Sequence, residues 1–384
     1  MWRYVPDILG EDSFARSRVH HVGFLKSVLS LRPSPLVDSG TFLRDTFAIS
    51  ASATRFGIAP VVKTLYVSPK AWAWSRSYGH QYDHVLAYWG NYSASCAYMF
   101  HRLMKRSVPF SMFLHAGMDL YEDPVYLRQK LLYADNIIVV CDFNRQFIQD
   151  RYADIYPSIS GKIYKYHLGL DLSALKFKPN ARTAKKVLAV GAFEKYKGFE
   201  YLLMAAAELT RRGIDYELEL VGDGKETNAL KALADKLAIS QMVRFPGWLK
   251  PAEVHAAMEA ASIFVHPSNG IGDAVPTVIK ESMALGAPVI ASNMAGIPEL
   301  LDHGRCGVLV PPGNSQALAA AIADLLANDD LRRNYANAAR KYAEREFDLW
   351  RNGERLARLL TSSRRDSSQK HDALKIERSP SITG

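Results

Sequence analysis

From residue 61 onward, short apolar runs of strand length alternate with stretches whose apolar residues recur at helical spacing. Runs at 61–67, 84–89, 110–115 and 136–141 predict strands, with helices over 93–106 and around 125–133. The pattern resumes with strands at 186–191, 216–221, 243–245 and 263–266. Helices are expected near 199–212, 227–237 and 252–261, with a long closing helix at 340–360. Strands this continuously apolar, alternating with helices, argue for parallel sheets covered on both faces. Ahead of residue 61, segments 14–31 and 42–56 have helix-like spacing, separated by the breaker Arg32-Pro33-Ser34-Pro35.

The alternation pauses between 162 and 171, and Pro179-Asn180-Ala181-Arg182 reads as a polar linker. Two doubly wound Rossmann-like domains in tandem follow, 1–170 and 171–361. Between them lies a cleft at the carboxyl ends of the strands, where open parallel sheets bind ligands. Residues 362–384, rich in Ser, Lys and Arg, read as a disordered tail.

One stretch carries the chemistry. After the strand ending at His266 come a glycine-rich loop, a short helix and the next strand at 288–292. Pro276 suits the first helical position and Gly286 the left-handed C-terminus. That helix start offers unpaired amides to an anion such as a diphosphate. Asp273 sits on the loop and Glu281 on the helix, with seven residues between them. A second stretch, Gly191-Ala192-Phe193-Glu194-Lys195-Tyr196-Lys197-Gly198, also follows a strand and opens a helix, so its lysines face the same cleft. His115 ends an apolar strand on the other side. A lone histidine there reads equally as a hydrogen-bonded rim residue, and Gly222-Asp223-Gly224 reads as a turn.

Together these segments resemble the family-4 retaining glycosyltransferases of the GT-B fold, in particular exopolysaccharide-type members. Asp273 and Glu281 match the family's E-x7-E segment with Asp in the first place, and the likeness runs on through 283–290 to Gly296-Ile297-Pro298-Glu299. Lys197-Gly198 matches the family's Lys-Gly pair, whereas Ala192 stands where an arginine is usual. Lys195 is placed to supply that charge, without the bidentate fork of arginine. The resemblance implies sugar transfer from a UDP- or GDP-sugar to a saccharide or lipid-linked hydroxyl, with retention and no metal or other cofactor. It implies that Asp273 and His115 act at the sugar. Lys197, Lys195, Gly191, Glu281 and the Ala274-Val275-Pro276-Thr277 segment would hold the donor. His84 and Asn91 are weaker cleft candidates. The strand and glycine loop that usually open the family's first domain have no counterpart here, so a shortened first domain is expected. The alternative is a nucleotide-sugar-binding scaffold or regulatory subunit without turnover.

Composition narrows the class further. A chain of 384 residues with 48% hydrophobic and 23% charged residues suits a globular protein of two domains. No apolar run approaches the roughly 20 residues of a spanning helix, and the N-terminus lacks a signal-peptide core. Three scattered cysteines give neither a disulfide framework nor a zinc site, so a reducing cytoplasm is expected. A net charge of +9 admits peripheral contact with an anionic membrane, while no nucleic-acid motif accompanies it.

Overall fold

The computed structural model describes residues 20–32, 39–104, 107–122, 124–179, 182–272 and 274–361. Among the described residues, the first lobe begins with the helices α1 (Phe24–Leu29), α2 (Ser39–Ala53) and α3 (Ile58–Tyr78). Strands and helices then alternate: β1 (Val85–Ala87), α4 (Tyr92–Leu103), β2 (Phe110–Leu114), α5 (Leu127–Tyr133), β3 (Asn136–Val139), α6 (Asp142–Arg151) and β4 (Ile163–Lys165). The four strands pair in parallel in the order β1-β2-β3-β4. Every residue of β2 and β3 is buried, the mark of a sheet covered on both faces.

The second lobe begins with β5 (Lys186–Val190), α7 (Phe199–Arg211), β6 (Glu217–Val221), α8 (Thr227–Lys236) and β7 (Val243–Gly247). It continues through α9 (Pro251–Ala260), β8 (Ile263–His266), α10 (Thr277–Leu285), β9 (Val289–Ser292), α11 (Ile297–Leu300) and β10 (Val308–Val310). The helices α12 (Ser315–Ala327) and α13 (Asp329–Glu346) follow. This sheet is also parallel, in the order β10-β9-β8-β5-β6-β7. The chain therefore runs outward from β5 in one direction and returns to start β8 on its other side. The loops leaving β5 and β8 part at this reversal, where parallel sheets open a crevice.

Two corrections to the sequence reading concern helices. Residues 61–67, expected as a strand from their β-branched run, lie inside α3. The helix wins because its inner face is packed: Thr64, Ser68 and Ala71 are buried, and the two hydroxyls are satisfied along the helix, Thr64 Oγ1 donating to the Pro60 carbonyl (3.0 Å) and Ser68 Oγ to that of Thr64 (2.8 Å). Its small buried residues, Ser68 and Ala71, leave room for the neighbouring helices. The closing helix expected at 340–360 is broken at Phe347-Asp348, and a separate helix occupies 349–361. Phe347 is fully buried, Asp348 bridges to Leu170, and the Asp348 carboxylate accepts from the Arg351 amide (2.8 Å) to start the new helix. A Cβ on Gly169 would lie 2.4 Å from the Leu349 Cα, so the two interlobe crossings touch. The helix 349–361 returns to the first lobe, setting Leu356, Leu359 and Leu360 against the cluster of Phe113, Ile138 and Val140. The anticipated disordered tail at 362–384 lies outside the described residues, as do residues 14–19 of the first expected N-terminal helix.

Candidate functional site

At the carboxyl end of β5 the chain makes a single 3-10 turn over Lys195–Lys197, closed by Gly198 at φ +68°. A Cβ on Gly198 would lie 2.1 Å from the Pro267 carbonyl oxygen, which is why glycine is required there. The contact is a latch between the loops after β5 and β8. The Tyr196 carbonyl accepts from the amides of Asn269 (2.9 Å) and Gly270 (3.1 Å) and from Ser268 Oγ (2.9 Å). Lys195 is exposed; Lys197 is half-buried with its Nζ 5.4 Å from the Tyr196 ring centre. The Gly222–Gly224 segment proves to be more than a turn. A Cβ on Gly222 would lie 1.9 Å from the Gly191 carbonyl oxygen, and the Phe193 amide donates to the Asp223 carbonyl (2.9 Å). The β6 loop thus braces the Gly191–Phe193 backbone. Ala192 leaves no cation at its position.

The loop after β8 ends in α10. Asp273, a candidate catalytic residue, lies outside the described residues. Ala274 is buried and Val275 packs beside it in the cluster between the lobes. Pro276 is the residue before the first helical one, with ψ 123°, a position earlier than the sequence spacing implies. Thr277 and Val278, the first residues of α10, have amides that no intrahelical carbonyl can reach. Gly286 ends the helix at φ +87° as expected. Glu281 is partly buried on α10, its Oε1 3.6 Å from His255 Nε2 on α9, a neighbour that no local sequence signal pointed to. Lys280 turns the other way: buried, it donates to the Leu168 carbonyl (2.9 Å), and burial takes its ammonium down to about 8.

Across the seam, His115 directly follows β2. Its ring stacks on Trp89 at 4.3 Å and on Phe113 at 4.7 Å, with Nδ1 3.5 Å from Asp119 Oδ2. The Asp119 carboxylate accepts from the amides of His115 (2.8 Å), Ala116 (2.7 Å) and Gly90 (3.4 Å), fixing both loops at this end of the sheet. Beneath it Lys130, fully buried, donates to the carbonyls of Gly90 (2.7 Å) and Asn91 (3.3 Å) and to Ser95 Oγ (3.3 Å). Burial takes the Lys130 ammonium down to about 7, against the pull of Asp119. Trp89 and Tyr88 are half-exposed beside His115. None of Asp119, Lys130 and Trp89 carried a sequence signal. His84 bonds Ser111 Oγ (2.9 Å) and is lowered in pKa by burial, while Asn91 caps α4 through the Ser93 amide (3.2 Å). Both are engaged within their own lobe.

The two halves meet. A Cβ on Gly117 would stand 3.7 Å from the Gly272 carbonyl oxygen, so the loop after His115 faces the glycine loop of the second lobe. A Cβ on Gly296 would lie 2.5 Å from the Ala274 carbonyl and 2.8 Å from Cys141 Sγ. Glu299, on α11, accepts from the Asp142 amide (2.7 Å), Lys165 Nζ (2.8 Å) and His167 Nε2 (2.8 Å), joining the second lobe to the first. Burial alone would raise its carboxyl; the bonds from His167, Lys165 and Asp142 outweigh that and bring it down to about 2. Among the described residues, no three His, Cys, Asp or Glu side chains are grouped to hold a metal ion.

Two parallel sheets that turn the carboxyl ends of their strands toward one seam define the GT-B architecture. The same fold is found in sucrose-phosphate synthase from Thermosynechococcus elongatus (TM-score 0.65, 21% identity, 77% of this chain and 78% of that one). It is found again in Anabaena HepE solved in complex with UDP (TM-score 0.62, 22% identity, 77% and 82%). Residues 173–342 match the family glycosyl transferases group 1, and the chain carries a domain of that family. Its relatives include the putative colanic acid biosynthesis glycosyltransferase WcaL of Salmonella typhimurium, 29% identical over 46% of this chain and 44% of that protein. Another is the phosphatidyl-myo-inositol mannosyltransferase of Mycobacterium leprae, 36% identical over 45% of this chain and 48% of that one. The matched region thus spans about half the length of these relatives.

Proposed function

We propose that the chain is a retaining glycosyltransferase. It moves a sugar from a UDP- or GDP-sugar to a hydroxyl of a saccharide or lipid-linked acceptor, in the assembly of a bacterial surface polysaccharide at the cytoplasmic face of the membrane. The observation that carries this reading is the latch of the Lys195–Gly198 turn onto the loop that opens α10, at the point where the strand order reverses. It joins the turn that carries Lys195 and Lys197 to the loop that leads into α10. Exopolysaccharide glycosyltransferases among the relatives support the setting, and UDP bound to HepE supports the nucleotide diphosphate.

The barrier in such a transfer is charge separation between an oxocarbenium-like sugar and a departing nucleotide diphosphate. Lys197, with Lys195 beside it, stabilises the charge that grows on the phosphates, together with the amides opening α10. Glu281 accepts hydrogen bonds from the nucleotide ribose. Asp273 holds sugar hydroxyls near the reacting carbon, and His115 bonds the sugar from the opposite lobe. The acceptor hydroxyl attacks from the face the leaving group vacates, and its proton passes to the leaving phosphate oxygen. No metal takes part. Holding donor and acceptor in the closed seam supplies orientation and excludes water.

The test mixes the purified chain with UDP- and GDP-sugars and an oligosaccharide or lipid-linked acceptor panel, with and without EDTA. Nucleotide release that depends on acceptor, persists in EDTA and gives a product of retained anomeric configuration is expected. A product of inverted configuration refutes the proposed stereochemistry. Nucleotide-sugar binding without release across the panel refutes transfer.

A further inference from the structure

Among the described residues, α1, α2 and α3 present an apolar face that no other element covers. Along α2, Leu43 and Phe47 stand one turn apart with Phe47 76% exposed; along α3, Ile58 and Val62 repeat the spacing with Ile58 80% exposed. On α1, Leu25 and Leu29 do the same, and the Phe24 ring stacks on Tyr66 of α3 at 5.0 Å, so the α1 and α3 faces adjoin. The opposite sides of these helices are the packed ones, through Ser27, Ile49, Ala53, Thr64 and Ala71. Large aliphatic and aromatic side chains left in water at helical spacing, over three successive helices, mark a surface made to be covered.

Its charge says by what. Within the described residues from 20 to 66 the cations are Lys26, Arg32, Arg44, Arg55 and Lys63, all exposed. The single carboxylate there is Asp45, buried and bonded to Arg102 Nε at 2.5 Å. Arg44 lies 3.7 Å from that same carboxylate, Arg55 lies over the Phe56 ring and Lys63 over that of Tyr92, and none meets an exposed acid among the described residues. An apolar stripe flanked only by cations complements a surface that is apolar beneath and anionic above. A second protein surface would more often offer both charge signs. Among the described residues no helix is long and apolar enough to cross a membrane, so the contact would lie in the interface plane.

We propose that the exposed faces of α1, α2 and α3 dock the chain on an anionic bilayer, with Leu25, Phe47 and Ile58 entering the headgroup boundary and Arg44, Arg55 and Lys63 meeting lipid phosphates. None of these residues is among those assigned to the donor or the reacting sugar, so docking stands or falls independently of the transfer reaction.

The test is co-sedimentation of the full chain with vesicles of phosphatidylcholine alone and with added phosphatidylglycerol, at low and high salt. Binding to the anionic vesicles that weakens with salt is expected. The triple variant Arg44→Ala, Arg55→Ala, Lys63→Ala should lower the partition coefficient on the order of a hundredfold. The variant Phe47→Ser, Ile58→Ser should lose binding to both vesicle types. Circular dichroism melts confirm that each variant folds, and donor turnover with a soluble acceptor should be unchanged. Equal partition onto neutral and anionic vesicles, or none onto either, overturns the proposal. So does self-association of the lipid-free chain that Phe47→Ser abolishes, since the face then belongs to a second copy.

Discussion

Glu299 is the carboxylate on which the joint between the lobes turns. Its acceptor atoms serve Asp142, Lys165 and His167, all on the first lobe or the crossing segment, while Glu299 itself belongs to α11. A carboxyl that titrates near about 2 instead of 4.5 is favoured in its charged form by about 3 kcal/mol. The sign follows from the depressed folded value: the unfolded chain binds the proton first as pH falls. The stabilisation is therefore complete above about pH 4.5 and is lost as pH falls through about 2. Glu299→Gln removes the charge but keeps the shape, leaving Lys165 and His167 facing a neutral amide. Urea unfolding of wild type and variant at neutral pH should differ by about 3 kcal/mol, and less than half of that should remain by about pH 3. The lost energy is coupling between lobes, so the variant should also reach its transition state less often, with kcat falling more than donor affinity. A stability difference that does not change with pH, or one below about 1 kcal/mol at pH 7, would refute the assignment of this cluster as the interlobe tie.

Lys197→Ala and Glu281→Gln should each remove most activity, Lys197→Ala by on the order of 100-fold or more in kcat, with unfolding midpoints unchanged. Wild-type turnover in both would place the donor elsewhere. Gly198→Ala forces an L side chain to φ +68° and sets its Cβ against the Pro267 carbonyl. It should lower stability by at least about 1–2 kcal/mol and raise the donor KM by loosening the latch; an unchanged KM in folded protein would count against the latch. Lys130 is neutral above about pH 7 when folded, whereas in the unfolded chain it stays protonated to 10.5. The unfolded state then binds more protons, so wild-type stability should rise with pH across that window. Lys130→Met should flatten the rise, and an identical slope in both proteins would contradict it.

Much of this molecule is written locally. The runs at 110–115, 136–141 and 263–266 read as buried parallel strands because both of their faces are apolar, and strands formed there. The order strand, glycine loop, helix around 263–290 placed Gly286 at the helix end and Gly191–Gly198 at the turn after β5, since φ preference and capping depend on neighbours in sequence. Where local preference was weak, packing decided. The β-branched run 61–67 became helix as part of α3, whose inner face buries Thr64, Ser68 and Ala71, and the helix expected across 340–360 broke where Phe347 entered the core and Asp348 met Leu170.

The sequence alone determined that two lysines, a glycine loop and a carboxylate-bearing helix follow two strands. Only tertiary structure decided that the strands lie side by side, so that Tyr196 closes one loop upon the other. It alone set Gly117 opposite Gly272, buried Lys130 beneath Asp119, and tied Glu299 to three partners more than a hundred residues away in sequence. Local chemistry specifies which backbone conformations are cheap. Which distant groups share a low-dielectric pocket depends on how the sheets stack, and no single stretch of chain contains that information.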